Sequence, residues 1–185
     1  MRPTTRCPVA GHFTTSYLLS SLHAQQCWRL LESFSFAPNS EGESLYDDAL
    51  FQPWLDDVRS LATARHRGAI TELELGKLFA TAPMDPSDGI RIPKGIRNAI
   101  EVLDSDEVRR GFVNEVHNSR GVYSKALNEG GEQERKMAAE WTKTARSLKD
   151  WPKTASIARA VSDMWTAYAN SEDQRRDKRR ARGDR

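Results

Sequence analysis

Cysteine is scarce in this chain: Cys7 and Cys27 are the only two in 185 residues, with no CxxC pair and no Cys/His spacing. Neither a disulfide framework nor a thiolate metal site is expected, and two buried free thiols in a reducing cytoplasm is the reading that follows. Long apolar runs are missing too. The best stretch, "FTTSYLLSSL", is broken by Thr15, Ser16, Ser20 and Ser21, well short of the ~20 apolar residues that cross a bilayer, so no membrane partner is expected. After Arg2 and Arg6 the same stretch makes a poor signal peptide, because its apolar block is diluted and Leu22-His23-Ala24 is a weak cleavage site.

Enzyme signatures are absent as well. There is no phosphate loop ending in Lys-Ser/Thr, no dinucleotide fingerprint behind a strand, no HExxH and no GxSxG elbow. His12, His23 and His66 are scattered without ligand spacing, so no metal, no cofactor and no catalytic set is expected. No segment alternates with period two over a useful length, which argues against a sheet.

What is present is helical rhythm. With 38% apolar and 29% charged residues, a chain of this length removes roughly 70% of its unfolded surface from water and needs no staple. Leu18, Leu19, Leu22, Trp28, Leu31 and Phe34 predict a helix over 15–34, and "APNSEGESLYDDAL" (37–50) reads as a polar linker. Pro53 is expected to open the next helix, with Trp54, Leu55, Val58, Leu61 and Ala62 on one face and Gly68 ending it. Thr71 with Glu74, and Asp104 with Glu107, have capping-box spacing. Pro93 is expected to start the helix that carries Ile96, Ile100 and Leu103. The connector "TAPMDPSDGIRIP" is too long for a helix-turn-helix.

Met137, Trp141, Ala145 and Leu148 share one face, and Ile157, Ala158, Val161, Met164, Trp165 and Tyr168 another, with a short turn at Asp150-Trp151-Pro152 between them. Two amphipathic helices so joined predict an antiparallel helical hairpin. The expectation is an all-α bundle of about seven helices: an N-terminal helix and polar linker over 1–50, then a main helical domain over 51–185 ending in a basic arm.

Two segments invite function. "HNSRGVYSKALNEGGEQER" (117–135) holds a histidine, three glycines and both charge signs in a connector longer than bundles normally use. His117, Asn118, Arg120, Gly121, Lys125, Gly130, Gly131 and Arg135 are its candidate binding residues, with the helix start near Glu132 as an anion acceptor. Against this, Glu132 and Glu134 already complement that helix end, and the glycines and asparagines equally describe a plain turn. His117 has no base partner on its own helix and would need Glu129 or Glu132.

The second is the tail. The net charge of +2 conceals seven basic residues against four acidic ones from Glu172 to Arg185, a balance of +3, so the rest of the chain stands at −1. Arg175, Arg176, Lys178, Arg179, Arg180 and Arg182 are candidate phosphate contacts, without an aromatic among residues 172–185 for base stacking. Together these features point to a non-enzymatic helical accessory protein of a bacterial or phage system, cytoplasmic, acting on a protein partner or on a nucleic-acid backbone. A small enzyme or anion-binding domain using the 117–135 loop is the alternative.

Overall fold

The computed structural model describes Tyr46, residues 48–126 and residues 128–183. These form six helices and, among the described residues, no strand: α1 Asp48–Ala64, α2 Gly68–Ala80, α3 Lys94–Leu103, α4 Asp106–Asn118, α5 Glu132–Ser147 and α6 Pro152–Arg182. The expected helix over 15–34 and the two cysteines, Cys7 and Cys27, lie outside the described residues.

The helix ends are placed by local chemistry that differs from the sequence expectation in four places. Helix α1 starts at Asp48 and carries Pro53 inside it. Tyr46 and Phe51 are buried with their rings edge to face at 5.2 Å, and Phe51 stacks on Trp54 at 5.8 Å, so burial draws the residues ahead of the proline into the helix. Gly68 does not end α1. His66 does, by taking a left-handed φ of 55° while Arg67 N–H donates to Ala62 O (2.8 Å) and His66 N–H to Thr63 O (3.1 Å), a Schellman ending with histidine where glycine is usual.

Gly68 then opens α2, which leaves Thr71 in its first turn with its N–H on Arg67 O, and Glu74 paired with Lys77 at 2.8 Å. That capping box does not form. At α4 the cap is Ser105, whose hydroxyl accepts from Glu107 N–H (3.1 Å) and Val108 N–H (3.3 Å), while Asp104 closes α3 with φ 43°. The shorter serine side chain reaches those amides from an extended backbone, the geometry an N-cap requires.

Two closely packed helix pairs form the core. Helices α2 and α4 approach where Gly76 faces Val108 and Gly111 faces Leu73, so closely that a Cβ on either glycine would stand about 2 Å from a backbone oxygen (2.1 and 2.0 Å). Helices α5 and α6 bury Ala138, Trp141 and Ala145 against Ala158, Val161 and Trp165. Thr142 and Ser162 hydroxyls meet at 2.8 Å, and Ser162 donates to Ala138 O at 2.9 Å. Glu101 on α3 caps the start of α6, accepting from Thr154 N–H (2.8 Å) and Lys153 N–H (3.2 Å), and thereby ties the two halves of the core together.

A buried ion cluster sits beside that junction. Arg97 is fully buried, its Nη2 donating to Asp85 (3.0 Å) and Asp88 (2.6 Å), its guanidinium 4.4 Å from the centre of the Trp151 ring. Burial alone would raise the Asp85 carboxyl, but hydrogen bonds from Ser87, the Lys94 N–H and Arg97 outweigh it and hold it at about 2. A carboxyl depressed on folding stabilises the protein fully above its unfolded value, near 3.9, and that stability disappears as pH falls toward 2. The shift is worth about 2–3 kcal/mol. Urea unfolding at pH 5 and pH 2 is therefore expected to show wild type losing about 2–3 kcal/mol more than Asp85→Asn between the two. Equal losses in the two proteins would mean the cluster does not hold the carboxylate as described.

Candidate functional site

The connector 119–131 leaves α4 at Asn118, crosses beside α6 and enters α5 at Glu132. Its organising residue is Glu134, in the first turn of α5 and almost fully buried. Glu134 accepts from Arg120 Nη1 at 2.5 Å and from Lys125 Nζ at 2.7 Å. Arg120 Nη2 adds Gln133 Oε1 at 3.1 Å, and Lys125 adds Gly130 O at 3.1 Å and Glu172 on α6 at 3.5 Å. Burial would push the Glu134 carboxyl up, but the hydrogen bonds from Lys125 and Arg120 prevail and lower it.

A second carboxylate reaches the same place from α6. Asp173 Oδ1 accepts from the Gly131 N–H at 3.0 Å and Oδ2 from Arg135 Nη1 at 2.6 Å, with Arg176 at 3.2 Å. The Arg135 hydrogen bond, followed by that of the Gly131 amide, lowers the Asp173 carboxyl to about 2. This is the position at the start of α5 where the sequence allows an external anion, and a side chain of the same chain occupies it. Gly131 is what permits the approach: a Cβ there would stand 2.2 Å from Ala169 O and 2.5 Å from its Cα.

The structure thus gathers Arg120, Lys125, Gly130, Gly131 and Arg135 around two internal carboxylates. Asn118 and Gly121 lie apart on the exposed side of the connector, Gly121 with φ 66°. His117 is drawn into a ring cluster, stacked on Tyr168 at 4.7 Å and 5.7 Å from Trp165. The acids named as its partners are engaged elsewhere, Glu129 with the Ala126 N–H (3.1 Å) and Glu132 with Lys136 (3.0 Å). Among the described residues, no group of three or more His, Cys, Asp or Glu side chains is arranged to hold a metal ion.

The tail divides into two parts. Through Arg176 it is docked on the connector: Glu172 pairs with Lys125 and with Arg175 (2.6 Å), and Arg176 with Asp173 and Asp177 (2.9 Å). Beyond Asp177, α6 continues to Arg182, and Lys178, Arg180 and Arg182 are exposed without an ion pair among the described residues. Arg179 is half-buried.

Three contributors have a different part here from the one the sequence suggests or were passed over. Glu134 is expected there only to complement the start of its helix and Asp173 is not singled out, since the charge of neither reveals which cation it will meet. Tyr168 did carry a signal: it lies 7, 11 and 14 residues before Arg175, Arg179 and Arg182, spacings that return to one helix face. Arg97 is a further omission, on the amphipathic helix α3, whose loop partners Asp85 and Asp88 read as ordinary turn residues. Among the described residues, no helix is long and apolar enough to cross a membrane. Comparison of the chain with protein-family models, with curated proteins and with solved structures finds no match.

Proposed function

We propose that this chain is a non-enzymatic helical accessory protein of a bacterial or phage system, cytoplasmic, acting by contact with nucleic-acid phosphates through the far end of α6. The bundle of about seven helices, with α5 and α6 as its antiparallel hairpin, is the scaffold in this reading. Contacts that pair residue 142 with 162 and residue 131 with 173 support the hairpin. The observation that carries the functional reading is the contrast along α6. The cations up to Arg176 are neutralised by the connector and its own acids, whereas Lys178, Arg180 and Arg182 stand exposed and unpaired among the described residues. Concentrated unpaired cations provide the sequence-independent part of phosphate binding. The competing enzyme or anion-site reading of 117–135 gains less, because Arg120, Lys125 and Arg135 already face Glu134 and Asp173.

Truncation after Asp177 tests this while keeping Glu172, Asp173 and Arg176 in place. The melting free energy is expected to change by no more than about 0.5 kcal/mol, as for surface changes generally. Duplex affinity is expected to fall, and the slope of log affinity against log salt to flatten by roughly 3 for the loss of three or four phosphate contacts. Equal affinity and slope in both forms would end the nucleic-acid reading and leave a protein partner as the object of the bundle.

A further inference from the structure

The basic end of α6 does not stand alone. At 3.6 residues per turn, Tyr168, Lys178 and Arg182 fall within about 80° of one another around the helix, so a tyrosine lies on the same face as two of the exposed cations. Tyr168 is 42% exposed, and His117 backs one side of its ring at 4.7 Å with an interplanar angle of 21°. Nearby, Tyr123 on the connector is 48% exposed, with the Arg120 guanidinium 3.4 Å from its ring centre. Arg120 is itself fixed by the buried Glu134 and lies 5.3 Å from the Trp165 ring, which in turn is 5.9 Å from Tyr168. Tyr123, Arg120, Trp165, Tyr168 and His117 therefore make one continuous cluster, and its two outer tyrosines are half open to solvent and held in place from behind.

From this arrangement we infer that the protein takes single-stranded nucleic acid, with bases stacking on Tyr168 and Tyr123 and phosphates following the cations of α6. The inference rests on the phosphate-contact reading of α6 and adds to it the choice of strand. A duplex has its bases already stacked on one another and presents phosphates alone, so it uses the cations and not the rings. A single strand uses both, because every base has a face to stack and aromatic platforms beside a charged groove tolerate any sequence. The rings are pre-organised by His117 and by the Arg120–Glu134 pair, so little freedom remains to be lost when a base arrives. Val122, fully exposed next to Tyr123, extends the apolar surface there. Glu172 lies on the same face of α6, but its carboxylate is engaged by Lys125 and Arg175.

The test uses the full chain and fluorescently labelled oligo-dT and oligo-rU of about 20 nucleotides, with a duplex of equal length, each titrated across a salt series. Wild type is expected to bind the single strands more tightly than the duplex. Tyr168→Ala and Tyr123→Ala are each expected to weaken single-strand binding by roughly 5-fold to 100-fold, with an unchanged salt slope and unchanged duplex binding. Tyr168→Phe keeps the ring and is expected to retain affinity, which separates stacking from loss of structure. The oligo-dT and oligo-rU arms identify the strand chemistry, and preference for either supports the inference. Tyrosine variants that bind single strands as wild type does, or a wild type that prefers the duplex, would overturn it while leaving the phosphate-contact reading intact. A wild type that binds neither form at low salt would overturn both.

Discussion

Trp141→Ala is expected to lower the free energy of unfolding by about 3–5 kcal/mol. The indole is 3% exposed, makes an edge-to-face pair with Phe112 at 5.9 Å and an interplanar angle of 86°, and has the Arg91 guanidinium 4.8 Å from its ring centre. Removing it deletes the apolar area of the side chain, the edge-to-face pair and the cation contact, and leaves a cavity between α4 and α5 that rigid helices fill only in part. Trp165→Ala removes an indole just as buried, at 2% exposed. The loss there is expected to be smaller, because the Trp165 Nε1 is buried without a hydrogen-bond partner among the described residues, and its deletion relieves an unsatisfied donor worth about 1–3 kcal/mol. Urea unfolding followed by far-UV circular dichroism measures both, and at this chain size a 4 kcal/mol loss corresponds to roughly 8–16 °C in melting temperature. Losses below about 1 kcal/mol in both variants would be incompatible with the α4–α5–α6 packing.

The apolar periods that announced these tryptophans were legible because burial repeats with the helix. Met137, Trp141, Ala145 and Leu148 recur every three or four residues, and so do Ile157, Val161, Trp165 and Tyr168, and the helices follow. Helix ends were less legible, because a cap is a competition between neighbours. Thr71 and Asp104 have capping spacing, yet Arg67 and Ser105 hold the N-cap positions, since the preceding turns set where each helix may begin. The candidate site was legible in part. Its boundaries and its cations could be read along the chain. The Asp173 carboxylate that meets Gly131 is 42 residues away, a distance across which a single sequence carries no pairing signal. For the same reason the docking of Glu172 and Asp173 on the connector could not be read along the chain, nor that Lys178, Arg180 and Arg182 would be the cations left exposed without an ion pair among the described residues.

Glu134→Ala is the sharper test of how the connector is built. In the folded protein a buried carboxylate is balanced by Arg120 and Lys125, and removing one member of such a set leaves uncompensated charge, which costs about 3–5 kcal/mol in buried pairs. The residual contacts decide where in that range the loss falls. Lys125 retains Glu172 at 3.5 Å and Gly130 O at 3.1 Å, and Arg120 retains Gln133 at 3.1 Å, so about 3 kcal/mol is expected rather than 5. Glu134→Gln keeps the shape and one acceptor but not the charge, and is expected to fall between wild type and the alanine variant. Because folding lowers the Glu134 carboxyl, its contribution is complete above the unfolded value near 4.3 and is lost as pH drops through the folded one. The difference between wild type and Glu134→Gln is thus expected to shrink on acidification from pH 6 to pH 3. Replacing the whole set, with Arg120→Met and Lys125→Met added to Glu134→Met, is expected to recover most of the loss, since apolar groups of similar volume need no charge partner. That triple variant would also release the platform behind Tyr123 without unfolding the bundle, so its single-strand affinity should drop while its stability stays near wild type. If Glu134→Ala costs less than about 1 kcal/mol, the carboxylate is hydrated rather than buried, and the connector is held by its glycines and by Asp173 alone.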